Sequence, residues 1–194
     1  MNLSKLFSMQ KELDDYIIEK KGLQGVDLLP QKILALQVEL GECAQEWRGF
    51  KFWSERQTPT QPECNFKSNA DGSSLEWKEE YGYIKHPLLE EYVDCLHFIL
   101  SIGLTIEPNI TEEWDLPREL KAEYSQTPTE SFNMLFGAFN GIENRDELDK
   151  YECYIWVLEI FEELGRLLGF TWNQIESAYT EKWNINKKRQ ESGY

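Results

Sequence analysis

The chain has few of the residues that build most metal and redox sites. Its 194 residues include only two histidines and four cysteines, and no two cysteines form a Cys-x-x-Cys pair. A cysteine-rich zinc site is therefore not expected. Cys43 and Cys95 fall inside apolar helical patterns, and we interpret both as reduced core residues.

Long apolar runs and an excess of basic charge are also missing. No stretch approaches the length of a membrane-spanning helix, and the first ten residues lack a basic segment followed by an apolar one, so we expect a cytoplasmic protein. The 35 acidic residues outnumber the 20 basic ones, and the net charge of -15 argues against broad binding to nucleic acid. A nucleotide, which needs only a few well-placed cations, is not excluded.

What the chain does contain is helical periodicity. Hydrophobic residues make up 41% of it, which is enough for one globular domain spanning residues 1–194. Apolar spacing and capping signals predict six helices. They cover residues 3–20, about 30–48, 87–103, a short stretch opened by Thr127, about 146–168, and about 171–190. No strand-rich region or internal repeat is evident, so we predict an all-α helical bundle.

Two segments interrupt this pattern. Residues 54–87 contain several turn signals, and we predict an irregular insertion there, with a short hairpin as one form that it could take. Residues 105–127 are polar and contain proline, which favours a connector.

Two acidic pairs are the main functional signal. Glu39 and Glu42 stand three residues apart, as do Glu91 and Asp94, so that each pair shares one face of its helix. A solvated helix face remains an alternative for the first pair. The second pair lies in a helix that is apolar on almost every side, where carboxylates are costly unless they are protonated, paired or bound to a cation. Four carboxylates from two helices would suit Mg²⁺, with Mn²⁺ as the alternative ion.

The last predicted helix carries a possible partner for such a cation. Tyr179, Lys182, Asn186 and Arg189 fall on one continuous face. Lysine and arginine on one face suit a polyphosphate. The alternative is a basic helix end that complements the helix macrodipole.

An aromatic cluster and a histidine complete the candidates. Trp53, with Phe50 and Phe52, follows the first acidic helix and could stack on a base, although a plug in the core is the favoured interpretation for any one of them. His97 comes one turn after Asp94, and we interpret it as a core residue or a support for the site rather than a metal ligand.

Taken together, three motifs resemble a known family. They are Glu39-Leu-Gly-Glu42, Glu91-Tyr-Val-Asp94-Cys-Leu-His97-Phe98 and Lys182-x-x-x-Asn186-x-x-Arg189. This set resembles the all-α nucleoside triphosphate pyrophosphatases, and among them the dimeric dUTPases. The resemblance runs from the first helix to the last residue, apart from residues 54–87 and 105–127.

The resemblance implies a homodimer that hydrolyses dUTP to dUMP and pyrophosphate, with dUDP as a further candidate substrate. It implies that Mg²⁺ is bound by Glu39, Glu42, Glu91 and Asp94, and that Glu42 also orients and deprotonates the attacking water. It implies the following substrate contacts: Lys182 and Arg189 to phosphates, Asn186 near the deoxyribose, Phe98 against the sugar, and Gln10 and Trp53 in the uracil pocket.

Three other hypotheses stay open on the sequence alone. The first is a related pyrophosphatase of broader nucleotide choice. The second is a non-catalytic helical interaction protein whose acidic helices are merely solvated. The third is a protein of this fold that is regulated by a partner docking at the active site, which the sequence neither favours nor excludes.

Overall fold

The computed structural model describes residues 3–64, 83–107, 124–143 and 147–193. In these ranges it has six helices: α1 (Leu3–Lys21), α2 (Leu29–Trp47), α3 (Pro87–Ile106), α4 (Pro128–Glu143), α5 (Glu147–Leu167) and α6 (Trp172–Glu191). Two short strands, β1 (Glu63–Cys64) and β2 (Tyr83–Lys85), pair antiparallel. The predicted all-α fold is confirmed.

Helix α3 lies at the centre of the bundle. It packs against α1, α2, α5 and α6, which explains why its sequence is apolar on almost every side. Pro87 stands in its first turn, and the Nδ1 atom of His86 accepts a hydrogen bond from the Leu89 backbone N–H at 3.3 Å. These two residues fix the start of the helix one residue before its buried face begins.

The predicted end of α3 at Gly103 is wrong, because the helix continues to Ile106. Gly103 does not have the positive φ of a glycine that ends a helix, whereas Gly169, after α5, has a φ of 88°. The ring of the buried Tyr154 on α5 occupies the space where a side chain at position 103 would lie. This glycine therefore permits close packing of α5 on α3.

The helix caps follow the sequence signals. At the start of α6, Thr171 and Gln174 form the predicted capping box. At the start of α4, the Thr127 side chain accepts from the Glu130 N–H at 3.3 Å, and the Glu130 carboxylate accepts from the Thr127 N–H at 3.1 Å. Both capping predictions are confirmed.

The predicted insertion lies only partly in the described residues. The antiparallel pairing of β1 with β2 is the short hairpin-like feature that the sequence allowed, with Glu63 opposite Lys85. Residues 65–82, and most of the predicted connector at 105–127, lie outside the described ranges. Each of the described helices is too short or too polar to span a lipid bilayer.

Candidate active site

An acidic group lies where α2 packs beside α3. Glu39 comes from α2, and Glu91 and Asp94 come from α3. One carboxylate oxygen from each residue lies within 4.8 Å of the other two, and all three side chains are half-buried. One residue of the first acidic pair and both residues of the second therefore lie together in space.

The pKa values in this group show the electrostatic cost of bringing the carboxylates together. Burial, followed by repulsion from Asp94, raises the pKa of Glu39 to about 7. Burial and then the charge of Asp94 also raise the pKa of Glu91. Three oxygen donors that resist ionisation in one place fit a hard divalent cation, which would offset both the burial and the mutual repulsion.

Glu42 stands apart from the other three carboxylates. It is exposed and does not belong to the group whose oxygens lie within 4.8 Å. Three of the four predicted ligands thus form the close group, and the place of Glu42 as the fourth stays a prediction. The charge of Glu42 nevertheless raises the pKa of both Glu39 and Glu91, so Glu42 borders the group.

Helix α6 brings cationic side chains to the acidic group. The Nζ atom of Lys182 lies 2.5 Å from Oδ2 of Asp94, and both side chains are largely buried, at 24% and 18% exposure. Burial raises the pKa of Asp94, and the hydrogen bond from Lys182 and the charges of Lys182 and Arg189 oppose that rise. Asn186 lies between them in sequence and is half-buried. Lys182 is therefore bound to a candidate metal ligand, a pairing that the sequence did not predict.

The aromatic residues after α2 do not plug the core. Arg48 ends the helix in the left-handed region, with a φ of 67°. The chain then turns and leaves Phe52 and Trp53 exposed by 84% and 65%, with their rings edge to face at 5.0 Å. The favoured interpretation of Trp53 as a core aromatic is thus wrong. Phe98, one residue after His97, is half-buried against the core.

Gln10, predicted in the uracil pocket, is almost fully buried at 4% exposure. Its Nε2 atom donates to Oδ1 of Asp14 at 2.7 Å. Its Oε1 atom contacts Nδ1 of His97 at 2.8 Å and accepts from the Tyr179 hydroxyl at 2.8 Å. The polar atoms of Gln10 are therefore already hydrogen-bonded to other residues of the protein.

Asp14 and Lys32 complete this network and were missed by the sequence analysis. The Lys32 ammonium lies 3.2 Å from Oδ2 of Asp14, which also accepts from the Ser101 hydroxyl. Lys32 donates further to Oγ1 of Thr105 at 2.8 Å. A signal was present in the sequence, since Gln10 occupies a position on the apolar stripe of α1 between Phe7 and Leu13. Polar residues on a buried stripe need partners of this kind.

One comparison with known proteins bears on this site. A family model described as dUTPase matches residues 2–66 and 76–194, and so covers every residue of the acidic group and of the α6 face. No curated protein matched the chain.

Proposed function

Because this chain belongs to the dUTPase family and is a dUTP pyrophosphatase, we propose that it works with Mg²⁺ held by Glu39, Glu91 and Asp94. The observation that carries the proposal is the meeting of these three carboxylates between α2 and α3. When bound, the metal would neutralise phosphate charge and lower the pKa of a coordinated water. Mn²⁺ is the alternative ion for an oxygen-only site.

Glu42 is proposed as the fourth metal ligand and as the general base. Its exposure leaves the carboxylate accessible to water, and its charge acts on both Glu39 and Glu91. A carboxylate with this placement can orient a water molecule and take its proton. The role needs only modest basicity when a metal acidifies that water.

The face of α6 is proposed to bind the phosphates. The Lys182 ammonium lies 2.5 Å from Asp94, and the charge of Arg189 also acts on Asp94, which supports a role of both cations beside the acidic group. A divalent cation on Asp94 would compete with the Lys182 ammonium for the same carboxylate, and a triphosphate would offer that ammonium new partners. Asn186 is half-buried and lies between Lys182 and Arg189 in the sequence, and it is proposed to bind near the deoxyribose.

Three residues are proposed to contact the nucleoside. Trp53 has an exposed indole that can stack on a base, which its 65% exposure supports. Phe98, next to the candidate ligands on α3, is proposed to pack on the sugar and disfavour a ribose 2′-hydroxyl. Gln10 is proposed to contribute to the uracil pocket from within the core, where it is already bonded to His97.

We further propose that the protein is a cytoplasmic homodimer. Each chain would form a single domain over residues 1–194. Leu34 and Val38, one turn apart on α2, are exposed by 62% and 51%. Adjacent exposed aliphatic side chains on one helix favour a protein contact. Their position on the helix that carries Glu39 would place that contact beside the site.

The proposed base is tested by Glu42→Gln, with Glu46→Gln as the matched control one turn further along α2. Glu46 accepts from the Thr60 backbone N–H at 2.9 Å, a bond that glutamine can keep. We expect Glu42→Gln to lower kcat for dUTP by at least about 100-fold while nucleotide binding persists, as is typical for loss of a general base. Glu46→Gln should retain near-normal turnover. Normal turnover in Glu42→Gln would remove Glu42 from the base role.

A further inference from the structure

Two consecutive residues of α6 bind two different neighbouring helices. Lys182 faces α3, where its ammonium lies 2.5 Å from Oδ2 of Asp94. Trp183 faces α1, where its indole N–H donates to the backbone carbonyl of Met9 at 2.7 Å. Consecutive side chains of an α-helix point about 100° apart. The two contacts together therefore fix the rotation of α6 about its own axis.

The contact of α6 with α1 is made at four positions that share one face of α6. The links join Glu176 to Lys5 at 2.6 Å, the Tyr179 hydroxyl to the Leu6 carbonyl at 3.4 Å, Trp183 to Met9, and Lys187 to Glu12 at 2.6 Å. These positions recur every three or four residues, as one face of a helix requires. Lys182 and Arg189, which are proposed to bind phosphate, lie at other positions of the helix.

The bond from Trp183 is the link best suited to hold that rotation. An indole ring turns about only two side-chain bonds, and the Met9 carbonyl is held by the backbone of α1. A helical carbonyl has a second lone pair, so it can accept the indole in addition to its own helix bond. The ion pairs at Lys5 and Lys187 instead join long side chains that are largely exposed, and such pairs are weak.

The same indole ring also holds a second lysine on the α1 side of the helix. Lys187 comes one turn after Trp183, and its ammonium lies 4.8 Å from the centroid of the ring. The ammonium also lies 2.6 Å from Oε1 of Glu12. In the sequence, Lys187 belongs to the same basic segment as Arg189. The rotation of α6 thus presents Lys182, and not Lys187, to the acidic group.

We propose that Trp183 is a positioning residue that keeps the Lys182 ammonium within reach of the nucleotide phosphates. This inference rests on the proposed phosphate-binding role of α6. A group about 6 Å from the helix axis moves by about 2 Å when the helix rotates by about 20°. A shift of this size would break the contact between Lys182 and Asp94, and misplacement by about 1 Å can cost about 100-fold in rate. Trp183 acts through Lys182 and touches neither the metal nor the nucleotide.

A double-mutant cycle between Trp183 and Lys182 tests this route. Trp183→Phe keeps an aromatic ring but removes the N–H donor. With Mg²⁺, it should lower kcat/KM for dUTP by about 10-fold and raise the Kd of the non-hydrolysable analogue α,β-imido-dUTP by a similar factor. In the Lys182→Met background the same substitution should change both values by less than about twofold, because no ammonium is left to position. Equal losses in the two backgrounds would overturn the proposal.

Trp172→Phe is the matched control on the same helix. Trp172 packs against the core in the first turn of α6, about 15 Å along the axis from Lys182. It should leave kcat/KM for dUTP within about twofold of the wild type. A loss as large as that of Trp183→Phe would contradict a role specific to the bond with Met9.

The wild type and Lys182→Met, measured in the same series, separate this inference from the proposed function. Absence of dUTP hydrolysis in the wild type would overturn the proposed function and this inference with it. An active wild type in which Lys182→Met weakens binding, but in which the two losses simply add, would overturn this inference alone.

Hydrogen exchange of the indole protons tests the bond in the wild-type protein, even if Trp183→Phe does not fold. Lys187→Met and Trp53→Phe assign the two indole resonances to be compared. We expect the Nε1–H of Trp183 to exchange at least about 10-fold more slowly than that of Trp53, which is 65% exposed. Equally fast exchange of the two protons would overturn the proposal.

Discussion

Replacing Lys182, the partner of Asp94 in an ion pair, should lower the stability of the metal-free protein and increase the stabilisation that Mg²⁺ gives. Lys182→Met removes the cation that lies 2.5 Å from Asp94 and keeps the aliphatic stem. Asp94 then remains beside Glu39 and Glu91, within the group that spans 4.8 Å. Because the pair is largely buried, we expect a loss of about 2 kcal/mol in the free energy of unfolding without metal. For a domain of this size that lowers Tm by about 4–8 °C.

Lys5→Met is the matched control for that loss. Lys5 and Glu176 join α1 to α6 at 2.6 Å, nearly the same distance, but their side chains are 50% and 28% exposed. Exposed pairs contribute about 0–1 kcal/mol, so the control should lose clearly less. Equal losses in the two variants would contradict the electrostatic role of Lys182.

Added Mg²⁺ separates a metal site from an ordinary ion pair. In Lys182→Met no ammonium competes for Asp94, so the rise in Tm on adding millimolar Mg²⁺ should exceed that of the wild type. The same variant should have a higher KM for dUTP, because one phosphate-binding cation is gone. A thermal-shift titration with and without Mg²⁺ measures the first effect. An unchanged Mg²⁺ response would refute the competition for Asp94.

Two further predictions concern the core around the site. Gly165→Ala on α5 would place a methyl group 2.5 Å from the hydroxyl oxygen of the buried Tyr92, and should lower the free energy of unfolding by about 1–3 kcal/mol. Gly137→Ala on α4 has open space around the new methyl group and should raise that free energy by up to about 1 kcal/mol. Denaturant unfolding measures both changes. Since the pKa of His97 falls from 6.5 to about 3 on folding, its contribution to stability is complete above pH 6.5 and is lost as the pH falls towards 3. Between pH 6.5 and 4.5, the free energy of unfolding of the wild type should fall by about 2–3 kcal/mol relative to that of His97→Phe. The opposing contribution of Glu39 cancels because both proteins carry this residue. Parallel profiles of stability against pH would contradict the buried neutral ring.

The helices could be predicted from the sequence because their apolar spacing, caps and breaks all agree. Helix α3 is the instructive exception, since Gly103 resembled a stop and serves instead to admit the ring of Tyr154. The sequence alone does not distinguish a glycine that allows close helix packing from a glycine that ends a helix. Only the position of α5, which is a tertiary contact, distinguishes the two cases.

The residues of the candidate site could be predicted from the sequence, but the contacts between them could not. Spacing indicated that Glu91 and Asp94 share a face, but not that Lys182 would bind Asp94 or that Glu42 would lie outside the acidic group. These are contacts between helices, and they depend on the rotation of each helix against its neighbour. The hydrogen bonds that Gln10 shares with His97 and Asp14 likewise join residues whose proximity no local sequence pattern indicates.

Pyrophosphate release from dUTP, dTTP, dCTP, dATP and dGTP, each with Mg²⁺ and with excess EDTA, tests the central claim most directly. The three carboxylates between α2 and α3 and the cations of α6 predict hydrolysis that needs the metal, and the family predicts that dUTP is the preferred substrate. We expect rapid release from dUTP with Mg²⁺, little from the other four nucleotides, and none in EDTA. Equal release from all five nucleotides, no release from dUTP, or undiminished release in EDTA would contradict it.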